Sequence, residues 1–412
     1  MSEWKQYKLE EVCKSIADGD HMPPPKSNKG IPFVTISNIV DNRLDFSNTH
    51  FVPLSYYDGL DDKRKPNVGD TIYSVVGTFG KPVYVKEDKP FVFQRHIAIL
   101  RPDESKVVPQ FLFYKLLSPQ FYRKADVMAV GAVQRTISLT SLRNATIQLP
   151  PLKIQSKIVD VLSSLDDKIA VNKKICENLE AQAQALFKHW FVDFAPFRDG
   201  KFVESELGLI PEGWRVGKAE DFYTINIGKT PPRAERQWFS ESKGNNKIWI
   251  SISDMGSCGT FISDSKEYLT PEAQSKFNVV MVPAGTILLS FKLTIGRVAI
   301  VDNELTTNEA IARFILPNSD YREFTYLYLR QYKYGSLGST SSIATAVNSK
   351  IIKSMPLLMP SIEVLTKFSS FVSKLFDEMR ILNKESARLA TLRDTLLPKL
   401  MSGEIKVNEI TL

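Results

Sequence analysis

From Leu162 onward the apolar positions fall at alternating spacings of three and four residues, through Leu165, Ile169, Asn172, Cys176, Leu179, Ala183, Leu186 and Trp190. The same spacing returns at Val372, Leu375, Met379, Leu382, Ser386, Leu389, Arg393, Leu396 and Leu400, each 210 residues after its counterpart. A 3.5-residue period sustained over this length predicts two long helices wound as a left-handed coiled coil, and within one chain each finds its antiparallel partner in the other. Both helices open after proline, at Leu149-Pro150-Pro151-Leu152 and at Met359-Pro360-Ser361, where a first helical turn tolerates that residue. Ala195-Pro196 marks the end of the first; Pro398 is expected to kink or end the second and leave Leu400 outside regular helix.

The stretches that precede the helices repeat as well. Trp4 precedes Leu9-Glu10-Glu11-Val12 as Trp214 precedes Ala219-Glu220-Asp221-Phe222. The run Phe33 to Ile39 answers Trp249 to Met255, and both alternate as strands do. Gly69-Asp70-Thr71-Ile72-Tyr73-Ser74 with Thr78-Phe79-Gly80-Lys81 answers Gly285-Thr286-Ile287-Leu288-Leu289-Ser290 with Thr294-Ile295-Gly296-Arg297. Each stretch ends in an aromatic-rich helical segment, Phe111 to Leu117 and Phe324 to Leu329. The fold class is therefore α+β: two similar mixed domains separated by an antiparallel two-helix coiled coil, arranged as a pseudo-twofold repeat. The divisions are 1–150, first globular domain; 151–195, central helix; 196–360, second globular domain; and 361–412, C-terminal helix.

Composition adjusts this picture only slightly. The 412 residues are 43% hydrophobic and 24% charged, enough to bury two cores and unlike a disordered chain. Lysine plus arginine number 53 against 46 acidic residues, a net +7, with the excess mainly in the globular stretches. A polyanion would bind through such an excess by releasing counterions, although a mildly basic soluble protein explains the charge equally well. The three cysteines, Cys13, Cys176 and Cys258, are too few and too scattered for a disulfide framework or a paired-thiolate metal site. With no secretion signal and no long uncharged apolar stretch, the expected location is the cytoplasm, without membrane contact.

No catalytic constellation is visible. Met22-Pro23-Pro24-Pro25 and Thr230-Pro231-Pro232-Arg233 lack the Asn or Asp before Pro-Pro-aromatic by which amino-methyltransferases hold a base. Gly228-Lys229-Thr230 resembles the end of a phosphate loop, but Tyr223 stands where the leading glycine belongs. His21, His50, His96 and His189 have neither a helical partner nor a cysteine companion of the kind zinc needs, so no metal is expected. The aromatic end of the first helix, Phe187, Trp190, Phe191 and Phe194, has two readings. Trp190 continues the seam, while the three phenylalanines fall partly off it and either join the core or face a partner.

The phrases Leu149-Pro150-Pro151-Leu152, Leu186-Phe187-Lys188-His189-Trp190-Phe191-Val192-Asp193-Phe194, Leu207-Gly208-Leu209-Ile210-Pro211-Glu212-Gly213-Trp214 and Leu396-Leu397-Pro398-Lys399-Leu400-Met401-Ser402-Gly403-Glu404-Ile405 resemble those of Type I restriction-modification specificity subunits. Those proteins alternate two target-recognition domains with two conserved long helices. The resemblance implies a non-catalytic DNA-binding chain that reads two half-sites of double-stranded DNA. It further implies two methyltransferase subunits, which carry S-adenosylmethionine and act on adenine, and restriction subunits that join the complex. This chain would bind no cofactor itself. A helix of roughly 40 residues spans ~60 Å at 1.5 Å per residue, so the expected target is split by an unread spacer.

For DNA contact the candidates are loop residues able to pair with base edges or phosphates. In the first domain they are Lys26, Lys29, Thr78, Lys81, Gln94, Arg95, His96, Gln134 and Arg135. In the second they are Lys229, Arg233, Arg236, Lys292, Thr294, Arg297, Thr345, Asn348 and Lys350. For each, a solvated turn residue is the plain alternative; Gly80 and Gly296 read as turn glycines. The rival functions are a DNA methyltransferase or nuclease with unrecognised motifs, and a coiled-coil scaffold that binds only protein.

Overall fold

A computed structural model describes residues 4–20, 22–132, 134–337 and 347–407. These form two compact units, one of residues 1–169 with 388–412 and the other of residues 170–387. Each unit joins one globular segment to half of each long helix. The helices run Leu152–Phe191 and Ile362–Ser402.

In the first unit an antiparallel sheet has the order Cys13–Asp18, Ile97–Pro102, Thr71–Ser74, Pro82–Tyr84. In its central strands Ile97-Ala98-Ile99-Leu100 is an unbroken apolar run and Thr71–Ser74 is buried throughout, because both faces are covered. Successive side chains point to opposite faces. Tyr73, Ala98 and Leu100 thus join a core with Leu162 and Leu397 of the long helices, while Ile72, Ile97 and Ile99 join another with Val34 and Phe93. Val34 and Phe93 belong to a smaller sheet, His50–Val52, Ile31–Val34 and Val92–Phe93, whose last pair is parallel.

The second unit repeats the plan. Its main sheet has the order Thr224–Ile227, Ile311–Ile315, Ile287–Ser290, Val298–Val301, Phe261–Ile262. Ile287, Leu289, Ala312 and Phe314 face a core with Phe187 and Val372 of the long helices; Leu288, Ala299 and Ile311 face a second core with Ile250. The entry strands also correspond, since Lys5–Lys8 pairs with Thr146–Leu149 in the first unit and Arg215–Lys218 with Pro356–Met359 in the second. The runs from Phe33 and Trp249 do not stay extended, as their alternation suggested. Thr35 N donates to Asn38 Oδ1 at 2.9 Å and Ser251 N to Asp254 Oδ2 at 2.8 Å, and these capping bonds start a helical turn at Ile36 and Ile252.

The long helices pair inside each unit. In the second unit Asn172 Nδ2 donates to Glu385 Oε2 at 2.7 Å, Cys176 meets Asn383, and the Phe191 ring lies 4.8 Å from that of Phe368, so partner numbers fall as the chain advances and the pairing is antiparallel. In the first unit Arg393 Nη1 donates to Asp166 Oδ1 at 2.8 Å, and Asp166 Oδ2 accepts the Tyr114 hydroxyl at 2.6 Å. Leu162, Leu165, Asn172, Ala183, Val372, Met379 and Leu382 are buried. Ile169, Cys176, Leu179, Leu375, Leu389 and Leu396 are half-buried.

One seam assignment is corrected. Leu186 is 36% exposed, while Phe187 and Phe191 are buried; Trp190, half-buried like Ile169 and Cys176, keeps its place in the seam with its ring 5.6 Å from that of Phe368. A straight helix drifts from a 3.5-residue repeat, and the Phe324 ring of Arg322–Gln331 packs 5.7 Å from Phe187 and 4.9 Å from Phe191. The buried stripe therefore steps by four through Ala183, Phe187 and Phe191, and the aromatic end is core. Nor does Pro398 end its helix. Leu397, Leu400 and Met401 are buried in helix that continues to Ser402, and Gln120 Nε2 donates to the Pro398 carbonyl at 2.8 Å. Core packing of this last turn outweighs the hydrogen bond that proline removes.

Candidate nucleic-acid interface

In each unit the ends of the central strands gather three loops by backbone hydrogen bonds. In the first, Val75 N donates to His96 O at 2.9 Å, Gly77 N to Arg135 O at 2.9 Å and Gln94 N to Val34 O at 3.1 Å. Thr78, Gln94, Arg95, His96, Gln134 and Arg135 are thereby brought together. Thr78, Arg95 and Gln134 are exposed. Lys81 is half-buried and closes the turn, its N donating to Ser74 Oγ at 2.9 Å. Arg135 stands 5.1 Å from the Phe79 ring and pairs with Asp126 at 2.5 Å, so much of its charge is already engaged. Burial and the neighbouring Arg95 charge hold the His96 imidazole below its ordinary pKa, which keeps it neutral near pH 7, with one donor and one acceptor. Lys26 and Lys29 are exposed but precede Ile31–Val34 at its other end, where Ser27 N donates to Phe51 O at 2.9 Å. The fold does not bring them to the three loops.

The second unit repeats the first and last of these bonds, and its third comes from a different loop, at Lys229. Phe291 N donates to Ala310 O at 3.0 Å, Asn308 N to Ile250 O at 3.0 Å and Lys229 N to Thr307 O at 2.9 Å. Gly228 N bonds Ile311 O as Gly19 N bonds Ile97 O, and a Cβ at either glycine would fall about 2 Å from a backbone carbonyl oxygen, of Asn308 or of Phe93. Lys229, Lys292 and Thr294 are exposed around this frame. Gly80 and Gly296 turn their loops at φ +85° and +90°, with their N–H groups on Ser74 O and Ser290 O.

Several candidates in the second unit serve the fold. Arg297 Nη1 donates to Ile252 O at 2.6 Å and its guanidinium covers Gly256. Arg233 pairs with Glu267 at 2.5 Å between the Phe239 and Trp249 rings, 4.4 and 4.5 Å away. Asn348 caps Ser349–Lys353, its Oδ1 accepting from Ile351 N at 3.0 Å, as Ser138 caps Leu139–Asn144. Arg236 and Lys350 are exposed, on the turn Arg236–Trp238 and the helix Ser349–Lys353. Thr345, like His21, lies outside the described residues.

The loop Asn308-Glu309-Ala310 was not among the candidates, although it matches Gln94-Arg95-His96 bond for bond. The signal was the Ile-Ala pair that follows each loop, Ile97-Ala98 and Ile311-Ala312. What the frames present is donors and acceptors on positioned backbone. The thiols offer no nucleophile: burial pushes Cys13 up to about 12 and Cys258 up to about 11, and raises Cys176 as well. No described helix is long and apolar enough to cross a membrane.

A family model described as the Type I restriction modification DNA specificity domain matches residues 1–181 and again 211–391. The chain is 26% identical to the Type I restriction enzyme HindI specificity subunit of Haemophilus influenzae, over 98% of this chain and 100% of that one. It is 24% identical to the putative type I restriction enzyme MjaX specificity subunit of Methanocaldococcus jannaschii, over 98% and 94%. The S subunit of a Type I restriction-modification system from M. genitalium shares the fold, with a TM-score of 0.53 at 14% identity over 97% of this chain and 96% of that one.

Proposed function

Because the chain belongs to the family of Type I restriction-modification DNA specificity subunits, we propose that each unit reads one half of a two-part DNA target with its three gathered loops. The chain catalyses nothing itself. It positions methyltransferase subunits, which bring S-adenosylmethionine to adenines in the target, and restriction subunits that join the same complex in a reducing, cytoplasmic setting. The observation that carries this reading is one backbone frame bearing different side chains. Gln94-Arg95-His96 in the first unit is Asn308-Glu309-Ala310 in the second, on equivalent hydrogen bonds. A frame kept while its presented groups change suits two readers of different sequences, because base edges differ in donor and acceptor pattern while the backbone they are approached from does not. A scaffold binding only protein gives no reason for that contrast.

Fluorescence anisotropy on the complex with methyltransferase, across a salt series, tests this. The expected result is binding that prefers one split sequence and weakens steeply with salt, with no adenine methylation by the chain alone. Binding indifferent to sequence, or methylation without a partner, contradicts it.

A further inference from the structure

At the tip of the second unit's central turn stands Leu293, 99% exposed and in the left-handed region at φ +60°. A three-residue turn centred on it is closed by Thr294 N donating to Lys292 O at 2.7 Å, a geometry that is rare and strained for an L-residue with a bulky side chain. The equivalent turn of the first unit fixes what the backbone wants here. Ser74 and Ser290 both accept from the following loop, through Lys81 N and Arg297 N, and Gly80 and Gly296 both return to them, so Leu293 falls at the position of Gly77. Gly77 sits at φ +68°. The frame thus asks for glycine, and the second unit puts leucine there. Its side chain gains no burial within the fold that would offset the strain. A residue that is both strained and unpacked is not explained by folding, and strain of this kind gathers at binding sites.

Its neighbours say what it meets. Lys292 and Thr294 are exposed on either side, and Phe291 N ties the turn to Ala310, beside the loop Asn308-Glu309-Ala310. An apolar side chain offered among such polar groups has one apolar feature to find on base edges in the major groove, the 5-methyl of thymine. We infer that Leu293 is a specificity-determining residue that packs against a thymine methyl in the half-site read by the second unit. This rests on the DNA-reading function proposed above, and it assigns the first unit no such contact, because Gly77 has no side chain.

The test uses the full chain with its methyltransferase and duplexes carrying the methylated target, with each thymine replaced in turn by deoxyuridine, which lacks only the methyl. At one position the replacement weakens binding of the unaltered chain by about fourfold, the worth of one buried methyl group. Leu293→Ala brings that ratio below about twofold and leaves the other positions alone. Leu293→Gly does the same with a melting temperature equal to or above that of the unaltered chain, because the strain is relieved. Thymine-to-deoxyuridine ratios unchanged by Leu293→Ala would overturn the inference, as would a lower melting temperature for Leu293→Gly. An unaltered complex without sequence preference would sink the DNA-reading function itself, and this inference with it.

Discussion

Lys115 offers a test of how the first unit holds the end of the second long helix. Its side chain is 8% exposed, its Nζ donates to the Met401 carbonyl at 2.7 Å in the last helical turn, and it lies 5.1 Å from the Trp4 ring. Burial, with the Lys124 charge adding to it, pushes its pKa down from 10.5 to about 8. Below about pH 8 the amine is charged in both folded and unfolded chains and contributes no pH dependence. Between about 8 and 10.5 the unfolded chain binds the extra proton, so stability rises with pH, and the gain is complete above 10.5. A shift of this size corresponds to about 3 kcal/mol. The assay is urea unfolding of the unaltered chain and of Lys115→Met at intervals from pH 7.5 to 10.5, read as the difference between the two. Deprotonation of buried tyrosines affects both proteins and cancels from that difference. The unaltered chain should gain on the variant as pH rises, by up to about 3 kcal/mol. A flat difference would refute the reasoning, since it would mean that Lys115 is hydrated and its burial costs nothing.

Other predictions follow from the same geometry. Phe191→Ala should cost about 3 to 5 kcal/mol in thermal or urea unfolding and Leu186→Ala under about 0.5 kcal/mol, the reverse of what an unbroken heptad would give. Asp166→Ala leaves the buried Tyr114 hydroxyl and Arg393 without their shared partner and should lower stability by about 2 to 3 kcal/mol, with Tyr114→Phe largely non-additive to it in a double-mutant cycle. Arg95→Ala and Lys229→Ala should leave the melting temperature unchanged. Each that contacts a phosphate should lower the slope of log affinity against log salt by about one.

The long helices and the repeat were legible because both rest on periodicity, which survives in the residue pattern whatever packs against it. At the end of the first helix Leu186 was misplaced, because Phe187 and Phe191, for which core was one of the two readings, are set by a tertiary neighbour, Phe324, that no local spacing reveals. Pro398 was misread for the same reason: the propensity argument is local, and the burial of Leu397, Leu400 and Met401 is not. Among the candidate contacts, glycine and basic residues marked the turns correctly. Residue type alone did not separate Arg297 and Arg233, which are consumed by Ile252 O and by Glu267 with two aromatic rings, from Lys229 and Lys292, which face outward. Leu293 escaped notice because an exposed leucine looks ordinary until its backbone angle is known.

The central claim, two readers of different sequence on one repeated frame, is tested most directly by sequencing methylated adenines in the DNA of cells that express this chain with its methyltransferase. The account predicts a single motif of two unlike specified blocks, separated by a constant number of unspecified base pairs. One continuous block, or two identical blocks, would contradict it.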